Sequence, residues 1–88
     1  MIKREVMITN RLGLHARAAA KLVQLANQFQ AQVFISTDRM SANAKSILGV
    51  LTLAASRDTP MVLEVEGPDE VEAVEKIVAL IVGKFGED

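Results

Sequence analysis

The sequence has 88 residues and a formal net charge of −1; half of its residues are apolar, but only three are aromatic, all phenylalanine. A chain of this length is predicted to form one domain, residues 1–88, around a single aliphatic core. The absence of cysteine excludes disulfides and thiolate chemistry, no apolar run is long enough to span a bilayer, and the charged N-terminus lacks a signal-peptide pattern, so we expect a cytoplasmic protein without membrane insertion.

The first half of the chain alternates between strand and helix patterns. Residues 2–9 have strand composition, and residues 10–13 are a turn signal. Residues 16–29 are predicted to be a helix, because their apolar residues fall on one face. That face consists of Ala19, Leu22, Val23, Ala26 and Phe29. The β-branched residues 31–37 predict a strand, and a short strand is expected near residues 40–42.

The next segment, residues 46–55, predicts a short helix. Ser46 is a suitable N-cap, and the apolar residues after it have helical spacing. Gly49 weakens this helix by about 1 kcal/mol relative to alanine. A loop is expected over residues 56–60.

The last two elements have clearer patterns. Residues 61–67 alternate like a strand with one solvated face. Asp69 and Glu72 have the spacing of a capping box at the start of a long helix, which Gly86 is expected to end. Its predicted buried stripe is Val71, Val74, Val78, Ile81 and Phe85. The order of elements predicts a two-layer α/β sandwich, with one sheet and helices on one of its faces.

His15 is the only histidine, and it stands directly before the predicted helix start at Ala16. Free amides and the helix dipole make a helix N-terminus a site for anions, and they favour a neutral imidazole with a free lone pair. Arg17 is near enough in sequence to pair with phosphate oxygens. A capping or surface histidine and a solvated arginine remain the alternatives at this point.

The other residues exclude several chemistries for His15. One histidine without cysteine makes no conventional zinc site, no catalytic triad can be assembled, and no glycine-rich nucleotide loop is present. Seven of the ten Lys/Arg but only two of the eleven Asp/Glu lie in residues 1–45, which suits an anionic group near His15. We therefore predict a phosphoryl carrier that other proteins load and unload, without a metal or cofactor, rather than an enzyme.

Two segments resemble the histidine-containing phosphocarrier (HPr) family of the phosphoenolpyruvate-dependent phosphotransferase system. "GLHARAAAKLVQLA", residues 13–26, is similar to the family's active-site segment, and "NAKSILGVLTLAA", residues 43–55, to the segment around its regulatory serine. The resemblance covers essentially the whole chain. It implies an α+β fold, an open-faced β-sandwich in which a four-stranded antiparallel sheet carries three helices on one face.

The resemblance also implies a mechanism. Phosphorylated Enzyme I would transfer its phosphoryl group to Nδ1 of His15, giving a pros-phosphohistidine, and the group would pass to a histidine on the IIA domain of a sugar permease. Arg17 matches the phosphate-pairing arginine, and the backbone amides of Ala16, Arg17 and Ala18 would bind the phosphate. Ala18 replaces the family's usual proline; we expect the site to tolerate this, because the anion-binding amides of Ala16 and Arg17 do not depend on proline.

Ser46 matches the regulatory serine that an HPr kinase/phosphorylase modifies in some relatives. A phosphate there would add negative charge beside the surface that receives partners. The family's docking patch corresponds to Ala20, Gln24, Lys45, Ile47, Leu48 and Leu51. Gln24 and Asn27 stand where many relatives have lysine, so electrostatic docking is expected to differ. A carrier that docks transiently is expected to be a monomer.

Two alternatives remain open on the sequence. Within the family, the chain also resembles the nitrogen-type regulatory paralogue (NPr), which answers to a different Enzyme I. From another class, a small α/β domain could be an RNA- or ligand-binding module. RNA-binding sheets usually present stacking aromatics, and with only Phe29, Phe34 and Phe85 this chain offers few, so we expect no nucleic-acid partner.

Overall fold

A computed structural model of the chain describes residues 1–87. Within that range the elements are, in chain order, β1 (Ile2–Met7), α1 (Ala16–Ala26), β2 (Gln32–Ser36), β3 (Ser41–Asn43), α2 (Ile47–Leu53), β4 (Pro60–Glu66) and α3 (Glu70–Val82), followed by a 3-10 turn at Lys84–Gly86. The predicted order of strands and helices is confirmed. Most boundaries differ from the predicted ones by one to three residues.

The strands form one antiparallel sheet in the order β1-β4-β2-β3. β4 is central, and its Val65 pairs with Ile2 of β1 on one side and with Val33 of β2 on the other. The side chains of β4 alternate between buried and accessible, with Leu63 and Val65 fully buried and Glu66 exposed. The sheet therefore has one covered and one open face, and the expected open-faced α+β sandwich is confirmed.

The core lies between the sheet and the helices and is aliphatic apart from Phe29 and Phe85. α1 contributes four buried side chains to it, namely Ala18, Ala19, Leu22 and Ala26. α1 also packs against α2 and α3, and α3 lies across β1 and β4. This packing fixes the start of α1, where His15 stands. None of the helices within residues 1–87 has the length and apolar character needed to cross a membrane.

The predicted face of α3 is partly wrong. Val71 is 61% exposed, and the buried residues are instead Ala73, Val74, Ile77 and Ile81. The helix is apolar on more than one side, so its spacing alone did not determine which side meets the sheet. Phe85 is buried as expected, but from the turn that follows the helix.

The two ends of α3 also differ from the prediction. The capping box is absent within residues 1–87: Asp69 makes no side-chain bond to its own helix, and Glu72 pairs with Lys76 at 3.2 Å. The helix ends at Val82 and not at Gly86, because Lys84 and Phe85 adopt positive φ angles. A chain with these angles cannot continue a right-handed helix.

The Asp69 carboxylate instead ties α3 to another part of the fold. Its two oxygens accept hydrogen bonds from the backbone N–H groups of Gln30 and Ala31, each at 2.9 Å. These amides lie just before β2, in the turn that follows α1. The predicted α1 is accordingly too long, since it ends at Ala26 and Phe29 is buried from that turn.

Candidate functional site

The loop before α1 is held in place by backbone contacts. Gly13 has φ +69°, and the Leu14 N–H donates to the Ala55 carbonyl at 2.8 Å. A Cβ at Gly13 would lie 2.7 Å from the same Ala55 oxygen, so only glycine fits this close approach. Leu14 is buried beneath the loop. The next residue, His15, is therefore presented at a fixed point beside the end of α2.

His15 occupies the N-cap position of α1, as predicted, with an extended backbone. Its carbonyl accepts the Ala19 N–H at 2.8 Å. Its imidazole, however, makes no capping bond to the helix within residues 1–87. The amides of Ala16, Arg17 and Ala18 thus belong to the first turn, which the helix itself leaves without acceptors.

The imidazole instead contacts the other end of the chain. His15 Nε2 lies 2.8 Å from Glu87 Oε1, across a sequence separation of 72 residues. Asn10 Nδ2 donates to the same carboxylate oxygen at 3.0 Å and to the Gly13 carbonyl at 2.7 Å. The side chains of His15 and Glu87 are only 24% and 16% exposed, so this contact is partly shielded from water.

Glu87 is an anion in this arrangement. Its hydrogen bond with His15 lowers the pKa of the Glu87 carboxyl, and the Asn10 bond and the charges of His15 and Arg17 act in the same direction, against the opposing effect of burial. An ionised carboxylate only accepts hydrogen bonds, so the proton of a neutral His15 ring lies on Nε2. The free lone pair is then on Nδ1, the nitrogen that the resemblance predicts to carry phosphate.

Asn10 and Glu87 were not identified from the sequence. Asn10 lies in a turn signal, and Glu87 lies among several acidic residues of the C-terminal half. Their pairing depends on long-range folding. Phe85 is fully buried, and Lys21 Nζ donates to its carbonyl at 2.6 Å, which brings the C-terminus back to α1. No local pattern carries that information.

Ser46 is the N-cap of α2, which confirms the capping prediction. Its Oγ accepts a hydrogen bond from the Gly49 N–H at 3.1 Å, and the residue is exposed. The hydroxyl is accessible although it is engaged in the cap.

The residues of the predicted docking patch differ in exposure. Leu48 is 75% exposed, and Ile47 and Leu51 are exposed to a lesser extent. On α1, Gln24 is exposed and Ala20 is partly buried. Lys45 is partly buried, and its Nζ donates to the Phe29 carbonyl at 2.7 Å, so this cation is directed toward the protein. The apolar members on α2 therefore dominate the accessible surface.

In the part of the chain that the structure describes, no group of three or more His, Cys, Asp or Glu side chains is placed to hold a metal. A surface groove of about 630 Å³ is lined by residues of β1, residues 57–58 and the end of α3. His15 and Arg17 do not line that groove. The site is an exposed helix end with an ordered imidazole rather than a substrate pocket.

Comparison with known proteins identifies the family of this chain. Residues 2–82 match the family described as the PTS HPr component phosphorylation site. The phosphocarrier protein HPr of Cupriavidus necator is 51% identical over 87 residues, covering 99% of this chain and 98% of that protein. The crystal structure of HPr-C-His from Thermoanaerobacter tengcongensis superposes with a TM-score of 0.96 at 43% identity, covering 100% of this chain and 99% of that chain.

A further relative is the catabolite repression containing protein Crh of Bacillus subtilis. Its crystal structure, a dimer with a swapped domain, is 42% identical with a TM-score of 0.76, and the match covers 96% of this chain and 97% of that chain. These matches extend over nearly the full length of the sequence and of its relatives. The chain belongs to the HPr family of phosphocarrier proteins of the phosphotransferase system.

Proposed function

We propose that residues 1–88 form a single phosphocarrier domain that works in the cytoplasm, accepts a phosphoryl group from phosphorylated Enzyme I on His15 Nδ1 and passes it to a histidine of a IIA domain. The observation that carries this proposal is the contact between His15 Nε2 and the Glu87 carboxylate. It leaves the lone pair of a neutral ring on Nδ1. The chain itself catalyses no reaction on a small substrate and is a covalently loaded intermediate.

The transfer step balances without an additional reactant. The Nδ1 lone pair attacks phosphorus, the new N–P bond forms, and the donor's bond to phosphorus breaks with its electron pair staying on the donor. Nε2 keeps its proton, so the ring becomes cationic while the phosphoryl group remains anionic. Onward transfer is the same step with His15 as the leaving group.

The start of α1 supplies the groups that would stabilise the moving phosphoryl group. Negative charge in such a transfer resides on the equatorial oxygens of phosphorus. The first-turn amides of Ala16, Arg17 and Ala18 are donors fixed by the helix, and they need no reorganisation when charge develops. The Arg17 guanidinium adds a bidentate cation. Its positive charge contributes to the lowered pKa of Glu87, which supports its placement beside the imidazole.

The docking surface proposed for Enzyme I and IIA domains combines the exposed side of α2 with the adjoining side of α1. Its residues are Ala20, Gln24, Lys45, Ile47, Leu48 and Leu51. The exposure of Leu48 supports this proposal, because a side chain this apolar gains most from contact with a partner. Leu48→Ala is expected to raise the KM of Enzyme I for this carrier while leaving the fold intact.

Ser46 is proposed as a regulatory phosphorylation site for an HPr kinase/phosphorylase. Phosphate would bring about −1.5 to −2 charges to the start of α2, next to Ile47 and Leu48. A phosphate at a helix N-terminus agrees with the helix dipole, so repulsion of partners is expected without refolding. Incubation with the kinase and ATP, followed by mass spectrometry of the Ser46 peptide, tests this; a Ser46→Ala variant is the control.

The carrier is proposed to act as a monomer, because a transient docking surface must remain accessible. Its relative Crh forms a dimer by swapping a domain. Light scattering across a range of concentrations tests the monomer, and a dimer at low concentration would contradict it.

The sugar-type and nitrogen-type roles are separated by comparing phosphorylation rates with each type of Enzyme I.

The central test is incubation with Enzyme I and phosphoenolpyruvate. The native chain is expected to acquire one acid-labile phosphate, and His15→Ala is expected to acquire none. Ser46→Ala is the matched control, since it removes the other candidate phosphorylation site at a helix N-cap and should still be phosphorylated. A native chain that takes no phosphate from either type of Enzyme I would overturn the proposal.

A further inference from the structure

The C-terminal turn is anchored firmly beside His15. The Phe85 side chain is fully buried, and its backbone has φ 57°. Lys21 Nζ donates to the Phe85 carbonyl at 2.6 Å, and Asn10 Nδ2 donates to Glu87 at 3.0 Å. These three contacts together determine where Glu87 lies.

Asn10 has a single workable orientation. The residue is fully buried, and its amide faces two acceptors, the Gly13 carbonyl and the Glu87 carboxylate. Turning the amide over would place an oxygen against both, so Nδ2 must point toward them. Asn10 Oδ1 is left buried without a hydrogen-bond partner within residues 1–87. A buried unpaired oxygen is destabilising, and such a cost in a native fold calls for an explanation.

We propose that Glu87, held by Asn10, is a positioning residue for phosphoryl transfer at His15. Its carboxylate accepts a hydrogen bond from the Nε2–H group, which keeps the ring in one tautomer with the Nδ1 lone pair free. The same carboxylate offsets the positive charge that the ring acquires when Nδ1 is bonded to phosphorus. This inference rests on the proposed role of His15 as the phosphoryl acceptor.

The charge on the ring connects the two effects. When the Nδ1–P bond breaks in onward transfer, a ring that has kept its Nε2 proton leaves as neutral imidazole. Neutral imidazole is a much better leaving group than the imidazolate anion. A carboxylate oxygen 2.8 Å from Nε2 offsets the positive charge of the phosphorylated ring. Within residues 1–87, His15 and Arg17 at the start of α1 act on Glu87 through positive charge. Glu87 thus serves both acceptance and onward transfer, without contacting phosphorus.

Two variants separate the hydrogen bond from the charge. Glu87→Gln keeps an oxygen that can accept a hydrogen bond from Nε2–H but removes the negative charge. Glu87→Ala removes the hydrogen-bond acceptor and the charge. Glu75→Ala is the matched control, because Glu75 is an exposed glutamate on α3 away from the imidazole. Nitrogen-15 NMR of the unphosphorylated proteins reports the His15 tautomer, and rapid-quench assays with Enzyme I and a IIA domain report the rates of transfer.

We expect the Nε2–H tautomer in the native chain, in Glu87→Gln and in the control Glu75→Ala. We expect Glu87→Ala to show a mixture of the Nδ1–H and Nε2–H tautomers. Transfer is expected to slow about tenfold in Glu87→Ala, by analogy with the lower end of the loss seen when a hydrogen-bond partner of a metal-bound histidine is removed. Glu87→Gln is also expected to slow transfer, since its amide leaves the ring charge uncompensated. The native tautomer and the native rates in Glu87→Ala would overturn the inference.

The same experiment distinguishes this failure from failure of the proposed function. If the native chain shows the Nε2–H tautomer but takes no phosphate from Enzyme I, the carrier proposal is wrong. If the native chain is phosphorylated and the Glu87 variants behave like Glu75→Ala, only the positioning role is wrong.

Discussion

The N-termini of α1 and α2 begin in the same way but use their first residue differently. His15 and Ser46 both have extended backbones directly before a helix. Ser46 Oγ accepts the Gly49 N–H and so caps its own helix. The imidazole of His15 turns instead to Glu87, 72 residues away. An N-cap position alone therefore does not decide whether a helix end is satisfied internally or is open to a ligand.

The difference has a physical basis. A capped helix end gains about 1 kcal/mol and loses part of its capacity for an anion. An uncapped end gives up that stabilisation and keeps its amides free for phosphate. α1 is held by four buried side chains and by the packing of the preceding loop, so it does not depend on a cap. α2 has only seven residues and uses one.

The largest expected effect comes from adding a methyl group to the loop that presents His15. Gly13→Ala places a Cβ 2.7 Å from the Ala55 oxygen and imposes φ +69° on a residue other than glycine. We expect the free energy of unfolding to fall by about 2 kcal/mol or more, and phosphorylation to slow because His15 moves. Urea denaturation and the Enzyme I assay measure both changes.

Gly49→Ala is the matched control for that change, at the other helix start. Its added Cβ would meet Ala42 and Ser46 at ordinary van der Waals distances of 3.4 Å. Because alanine is the better helix former, this variant is expected to gain up to about 1 kcal/mol. Equal losses in the two variants would contradict the different roles of the two glycines.

Asp69, at the start of α3, extends the comparison to pH. Hydrogen bonds from the Gln30 and Ala31 amides lower the pKa of the Asp69 carboxyl, with burial opposing them. A lowered folded-state pKa means that the ionised group stabilises the fold above the pKa of the unfolded chain, near 3.8. That contribution disappears as the pH falls through the lower folded value.

Asp69→Asn is accordingly expected to be less stable than the native chain at pH 7, because an amide nitrogen replaces one of the two accepting oxygens. The difference in the free energy of unfolding should narrow as the pH falls below 3.8 and through the lower folded-state pKa of Asp69, since the native carboxyl then becomes protonated. Urea denaturation at several pH values measures this. A gap that widens in acid would show that the Asp69 contacts do not favour the ionised form.

Ser46→Ala and His15→Ala test the comparison of caps directly. Ser46→Ala removes a capping bond and is expected to lower the free energy of unfolding by about 1 kcal/mol. His15→Ala removes no capping bond and is expected to cost less. Both free energies of unfolding are measured by urea denaturation at pH 7. The same dependence of the free energy on urea concentration is used for the two variants. A greater loss for His15→Ala would show that the start of α1 depends on the imidazole for its stability.

The smallest effect is expected at Ala18, where the family usually has proline. Ala18 lies in the first turn of α1, before the first helical hydrogen bond, so a ring there removes no bonded N–H. Ala18→Pro is expected to raise stability by about 0.4–1 kcal/mol and, although it removes the Ala18 amide, to leave phosphotransfer nearly unchanged, because the amides of Ala16 and Arg17 remain to bind the phosphate. Thermal denaturation and the Enzyme I assay measure this. Because Ala18 is fully buried, a loss of stability would show that the core has no room for the ring.

Local patterns predicted the order of the elements, the N-cap positions of His15 and Ser46, and most of the core. They failed where an interaction joins distant segments. Asp69 has the sequence of a capping residue but binds the amides before β2. Val71 has the spacing of the predicted buried stripe of α3 but is exposed. Glu87 meets His15 only because the buried Phe85 returns the chain to α1. Spacing in sequence carries no signal for such a contact.

The most direct test of the central claim is a nitrogen-15 and phosphorus-31 NMR spectrum of the protein after phosphorylation by Enzyme I. The account predicts that phosphorus is bonded to Nδ1 of His15 and that Nε2 of the same ring still carries its proton. Phosphorus on Nε2, or on a residue other than His15, would contradict the account.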